Sequence, residues 1–180
     1  AWSELAAGLG PHACFVALTT IHWREAWKYG ERAFRYCQHD VGHALGALAV
    51  AAAGLGWRAH VLDDVGSDEV GALLGVNEQR GPFAEAPEVL VALGPAPADG
   101  SAWRPLAPSP QALRAASAAV RVGIANELSS GWVDWPAIEA VHAATRKPRT
   151  VGAHTLGLSP RLPASVPDRE PIALRRVVRG

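Results

Sequence analysis

Residues 23–56, WREAWKYGERAFRYCQHDVGHALGALAVAAAGLG, constrain this chain more than any other stretch. Trp23 to Asp40 is dense in charged, aromatic and hydrogen-bonding side chains. Val41 to Ala53 is almost wholly small or apolar and leads into Gly54-Leu55-Gly56. A polar, aromatic approach into a buried helix is a common way to build a pocket against a core. Arg24–Tyr36 predicts a short helix with an irregular break near Gly30. Asp40 is placed to cap a second helix, whose Val41, Leu45, Leu48 and Ala52 repeat at i, i+4, i+7 and i+11. Gly42 and Gly46, with Ala44, Ala47 and Ala51, leave little side chain on the other faces. This predicts close approach by another backbone or a flat ligand, so that Gly46→Leu would overpack the fold. Gly54 is placed to end the helix in the left-handed conformation.

The flanking text alternates strands and helices. Trp2–Gly8 reads as the end of a helix, stopped by Gly8-Leu9-Gly10-Pro11. Cys14–His22 scarcely alternates, which predicts a strand buried on both faces. Trp57–Leu62 and Pro87–Gly94 are two further strands. Ser67–Leu74 is a short helix with an N-cap, an acidic first turn and a stop at Gly75. The order implies layered helices and strands. After Gly94 the prolines multiply. Segments 95–111 and 148–171 read as connections and as the most mobile parts of the chain, because little burial offsets the entropy of ordering them. A weak helix is expected at 111–120. Another is expected at Ala137–Thr145, with Asp134 as cap and Pro136 close to its first turn. Ile172–Arg179 looks helical and basic. No internal repeat is evident.

Composition removes some functions. The 17 basic residues balance 17 acidic ones, so bulk charge argues for neither a nucleic-acid partner nor an acidic membrane. No apolar run reaches the roughly 18 residues that a membrane span needs. Cys14 and Cys37 are the only cysteines and suit free thiols in a reducing compartment, so a cytoplasmic protein is expected. The sequence holds no methionine, and a segment of a longer product is expected. Only Lys28 and Lys147 are lysines among many arginines. A lysine can be deprotonated in a protein, whereas an arginine effectively cannot.

Three constellations bear chemistry. Lys28-Tyr29 is followed by Arg32 and Arg35. A lysine buried among cations surrenders its proton more readily, which makes Lys28 a candidate base with Tyr29 positioning or relaying the proton. The competing reading is an exposed basic helix face. His39-Asp40-Val41-Gly42-His43 puts two histidines at i and i+4, as in a zincin helix, but with Asp where that motif has Glu and with no evident third ligand. His60, His142 and His154 lie in unrelated contexts. Gly54-Leu55-Gly56 runs from helix to strand, the reverse of a dinucleotide fingerprint. It is a helix terminus that also exposes backbone N–H groups. A thiol nucleophile is not indicated, since Cys37 has no evident activating partner.

The run Ala26–Tyr36, then Asp40-x-Gly-His43, then a small-residue helix closing on Gly54-Leu55-Gly56, resembles the flavin-dependent nitroreductase family, and within it the SagB-type dehydrogenases. The resemblance covers residues 1–95, and helix 67–74 and strand 87–94 also fall where that fold places them. It implies an α+β fold with a mixed β-sheet flanked by helices, binding FMN at a dimer interface and passing hydride between flavin and a second substrate. By match to the motif, Lys28 and Tyr29 would be the catalytic pair implicated in proton removal. Gly54, Leu55 and Gly56 would lie near the flavin ring, with Arg32 counted as a further cofactor contact. The Arg-rich segment that grips the FMN phosphate in the family has no counterpart at residues 1–20, whereas Leu174–Arg179 looks like the lead-in to one. Val133-Asp134-Trp135-Pro136 resembles a stretch of tandem two-unit members.

The implied organisation is the C-terminal part of a nitroreductase-like domain at 1–95, a Pro-rich connection with peripheral helices at 96–147, a linker at 148–171, and the start of a second unit at 172–180. The implied partners are a small-molecule or peptide substrate, NAD(P)H as a candidate electron source, and a second copy or tandem unit. A non-catalytic dimerisation unit is one alternative. A metal-dependent hydrolase using His39 and His43 is the other.

Overall fold

Strand β3, Ala86–Pro95, carries the other layers. The computed structural model describes residues 2–10, 12–120, 122–123, 131–150, 156–158 and 160. In chain order the elements are α1 (Trp2–Leu5), β1 (Cys14–Thr20), α2 (Trp23–Tyr29), α3 (Ala33–Gly54), β2 (Trp57–Val61), α4 (Ser67–Leu74), β3, α5 (Pro110–Ser117), α6 (Pro136–Ala144) and β4 (Leu156–Leu158). The sheet order is β1-β3-β2-β4, and every ladder is antiparallel. The class is α+β; the expected mixed sheet is an antiparallel one.

Side chains alternate across β3 with period two, so its apolar run serves two cores. Leu90 and Ala92 join Leu5, Leu9, Leu62, Val70, Leu113 and Ala116 on one side. Val91 and Leu93 join Ala52 and Ala59 on the other, where Leu45 and Leu48 of α3 also pack. A third cluster, Ile21, Trp23, Ala26, Ala33 and Ile138, ties α2 to α3 and α6. Strand β1 is not buried on both faces as expected. It is a sheet edge, and all seven of its residues are only half-buried.

Several local expectations are corrected. The break at Gly30 is real, with φ 57° and ψ −140° followed by a 3-10 turn over Gly30–Arg32. Asp40 begins no helix, because α3 runs unbroken from Ala33 to Gly54. No glycine or proline interrupts residues 33–41, so nothing there opposes helix propagation. Gly54 is the last helical residue, and Gly56 (φ 71°) is the left-handed one. Gly66, not Ser67, caps α4, and its N–H donates to the Glu69 carboxylate. The side chain of Asp134 does not cap α6; Trp135 holds the cap position, with Pro136 first in the helix.

The face of α3 bearing the small residues is open. Gly42, Ala44, Gly46, Ala47 and Ala51 are exposed, and a Cβ added at Gly42 or Gly46 meets nothing within 4 Å. The expected overpacking by Gly46→Leu is thus not supported within one chain. Instead, Gly46→Ala is expected to stabilise by about 0.5–1 kcal/mol, since it removes backbone entropy from an exposed helical site. A thermal melt of the unpaired chain should show a rise of about 1–4 °C; a fall would mean that this face is in contact.

The Pro-rich segment 95–111 and the described residues of 148–171 are tied down, while 151–155, 159 and 161–171 lie outside the described residues. Pro105 is fully buried, the Trp103 indole lies against Gly94, and its N–H donates to the Leu9 carbonyl at 3.2 Å. Ser109 caps α5, which contributes Leu113 and Ala116 to the principal core instead of lying on the periphery. Within the expected linker, β4 pairs with β2, and Arg149 meets the Glu69 carboxylate at 2.9 Å. The expected helix at Ile172–Arg179, the second unit at 172–180 and His154 lie outside the described residues.

Candidate functional site

The residues that the resemblance ties to flavin chemistry sit at the two ends of α3, and His39 and His43 lie within it. Lys28 lies in the last turn of α2 with an exposed side chain, its Nζ 5.1 Å from the centre of the Tyr29 ring. Tyr29 is half-buried against Tyr36, with ring centroids 4.6 Å apart. Arg32, in the 3-10 turn, is exposed. The burial expected around Lys28 is not supplied by this chain.

Gly54 ends α3 and Leu55 and Gly56 follow it, with Leu55 75% exposed. At about 1.5 Å per residue, a 22-residue helix separates the two groups by roughly 33 Å. The residues that the resemblance ties to FMN therefore stand at opposite ends of α3 in a single copy of the chain.

His39 and His43 both point to solvent, and the nearest carboxylate is Asp40, 3.7 Å from His43 Nδ1. Among the described residues no group of three His, Cys, Asp or Glu side chains could hold a metal. Cys14 and Cys37 are free thiols. Burial, then Glu25, Glu88 and Asp40, pushes the Cys37 thiol up to about 11, so it is held protonated and is no nucleophile at neutral pH.

The structure instead assembles a cleft that the sequence did not reveal. It has a volume of about 410 Å³ and lies between the start of α2, the 76–87 turn and the segment 132–146. Trp23 and Ile138 are among its buried wall residues, and Trp135 lies 3.1 Å from the position a Cβ would take at Gly30. That contact couples the mouth of the cleft to the α2–α3 break.

His22 and His142 line the cleft with ring centroids 5.3 Å apart and planes at 62°. His22 Nε2 is buried without a hydrogen-bond partner, and the ring also packs on Phe34 at 5.6 Å. Burial, then the charge of His142, pulls His22 down to about 4. Burial also lowers His142, with Arg146 acting the same way and Glu88 and Glu139 opposing. Both rings are therefore neutral at pH 7.

A pH dependence follows. The folded state resists a proton at His22 that the unfolded chain accepts as pH falls through 6.5 toward about 4. Stability is complete above that window and declines within it. Discounted for partial solvation of the ring, the loss between pH 7 and pH 5 should be about 1 kcal/mol. Chemical denaturation at the two pH values should show a larger loss in the wild type than in His22→Phe, where His142 still contributes. Equal pH slopes would mean that His22 is not held neutral.

Neither cysteine nor any membrane span contributes to the site. No helix among the described residues is long and apolar enough to cross a membrane. No family model, curated protein or solved structure matches this chain.

Proposed function

We propose that this chain is part of an FMN-dependent oxidoreductase of the nitroreductase, SagB-like type, and that its flavin is held between two units and not within one. The resemblance of Ala26–Tyr36 and Gly54–Gly56 motivates the chemistry. The observation that supports assembly is the open face of α3. It leaves Gly42, Gly46, Ala47 and Val50 uncovered along a 22-residue helix, with Val50 52% exposed. A second unit laid antiparallel along this face would bring the Lys28-Tyr29 end of one helix beside the Gly54–Gly56 end of the other. Such close approach suits glycine and alanine, which keep helix axes near one another.

On this reading the flavin supplies the redox chemistry, and the chain supplies orientation and proton transfer. The substrate would be a small molecule or a peptide. Lys28 would accept a proton from it, and Tyr29, pinned by Tyr36, would position the lysine.

Two measurements test this. The chain produced alone, and again within its full reading frame, should differ in flavin content, with flavin retained only where the second unit is present. In the flavin-loaded protein, Lys28→Arg should leave flavin content unchanged and lower turnover by about tenfold or more, because arginine keeps the charge but cannot serve as a base. Normal turnover in Lys28→Arg would remove Lys28 from the mechanism. A second reading, a dimerisation unit without redox activity, is favoured by the separation of the two site groups. It predicts stable pairing through α3 and no flavin in either preparation.

A further inference from the structure

The cleft between α2, the 76–87 turn and α6 has a composition that the flavin reading does not use. Three indoles line it: buried Trp23, half-buried Trp135, and Trp132, which is 51% exposed at the mouth. Its volume of about 410 Å³ falls in the usual range for small-molecule sites, about 300–1,000 Å³.

The charges on its walls are not equally engaged. Arg146 pairs with Asp68. Arg80 donates to the carbonyls of Asn77 and Gln79 and lies 3.7 Å from Glu78. Glu85 accepts from Thr19 at 2.7 Å and from Gln79. Asp134 and Glu139 remain. Neither takes part in a hydrogen bond or salt bridge among the described residues, and both line the cleft beside the tryptophans. The two imidazoles at its inner side are neutral at pH 7 and place no positive charge there.

Indole faces attract cations, and uncommitted carboxylates strengthen the preference where water is partly excluded. We propose that this cleft binds a small organic cation, an alkylated or quaternary ammonium on a flat apolar body, between the indoles of Trp23, Trp132 and Trp135 and the carboxylates of Asp134 and Glu139. The ammonium lies toward the carboxylates, and the apolar body lies toward Trp23 and Ile138. A neutral ligand of the same shape gains the apolar contact alone, and an anion is repelled. Binding here needs no flavin and no second unit, so it stands or falls separately from the oxidoreductase reading.

The test is calorimetric titration of the full chain at low salt with benzyltrimethylammonium, benzyl alcohol and benzenesulfonate. The cation should bind saturably and at least about tenfold more tightly than the alcohol, and the sulfonate should not bind. Asp134→Asn combined with Glu139→Gln should weaken cation binding by about tenfold while leaving the alcohol unaffected. Trp132→Ala should weaken cation binding as well. All three side chains are exposed, and far-ultraviolet circular dichroism checks that each variant is folded. Equal affinity for cation and alcohol, unchanged cation affinity in the carboxamide variant, or no saturable cation binding would each overturn the proposal.

Discussion

Leu113→Ala is expected to lower the unfolding free energy by about 2–4 kcal/mol, a large fraction of the stability of a domain this size. Leu113 is 2% exposed and lies in one cluster with Leu5, Leu62, Val70 and Leu90. It reaches that cluster from α5, beyond a proline-rich stretch that composition marks as a connection. Truncation there removes apolar contact and leaves a cavity that neighbours on α4 and β3 fill only in part, because each is held by its own backbone pairing. A residue on a peripheral helix would instead change stability by no more than about 0.5 kcal/mol. Urea denaturation monitored by circular dichroism separates the two. A midpoint within error of the wild type would place α5 outside the fold.

Local signals carried much of the fold. Ser67–Leu74 is legible because an acidic first turn and Gly75 bracket it, and Gly75 does adopt the left-handed conformation, with φ 75°. The strand at Pro87–Gly94 is legible because an apolar run bounded by turn residues has few other solutions. The unbroken α3 was not legible, since Asp40 is as good a cap as a mid-helix residue is poor, and only the surrounding helix decides against it. Small residues on its outer face are ambiguous in principle: they permit close approach without requiring it. Strand β4 depends on pairing with β2 across about a hundred residues, and no local pattern in Leu156–Leu158 announces it.

The site follows the same division. Lys28, Tyr29 and the glycine turn were visible as residue types, but their separation depends on helix length, and α3 takes in both the stretch beyond Gly30 and the second expected helix. The cleft was invisible for a different reason. His22 and His142 are 120 positions apart, and each alone reads as an ordinary half-buried histidine. The usable signal was the density of aromatics around Asp134, with Trp132 and Trp135 on either side. Reading that segment as a helix start, and as a stretch resembling tandem members, left the cleft unseen.

Gly66→Val is expected to cost about 3 kcal/mol, and the reason lies in chain segments far apart in sequence. A Cβ at Gly66 would lie 2.7 Å from the Arg149 backbone nitrogen and 3.1 Å from the Lys147 carbonyl oxygen. Both obstacles are backbone, so no rotamer change relieves them. The close approach positions a set of bonds: Ser67 N–H donates to the Lys147 carbonyl at 2.8 Å, Lys147 N–H to Ser67 Oγ at 3.0 Å, and Thr150 N–H to the Asp64 carbonyl at 3.1 Å. Arg149 reaches Glu69, with both side chains only about a quarter exposed, and donates to the Pro108 carbonyl at 2.8 Å. Displacing 147–150 would weaken this set together, at about 0.5–1.5 kcal/mol for each bond lost, with overpacking strain of about 1–3 kcal/mol where the segment holds its place. Gly66 has ordinary extended φ and ψ of −80° and 159°, which valine also adopts, so the loss would report the contact and not backbone strain. Calorimetry should show the transition lowered by about 6–12 °C. Arg149→Ala, which removes the ion pair and leaves the approach intact, should lower it by less. Should Gly66→Val melt with the wild type, residues 147–150 are not docked on α4.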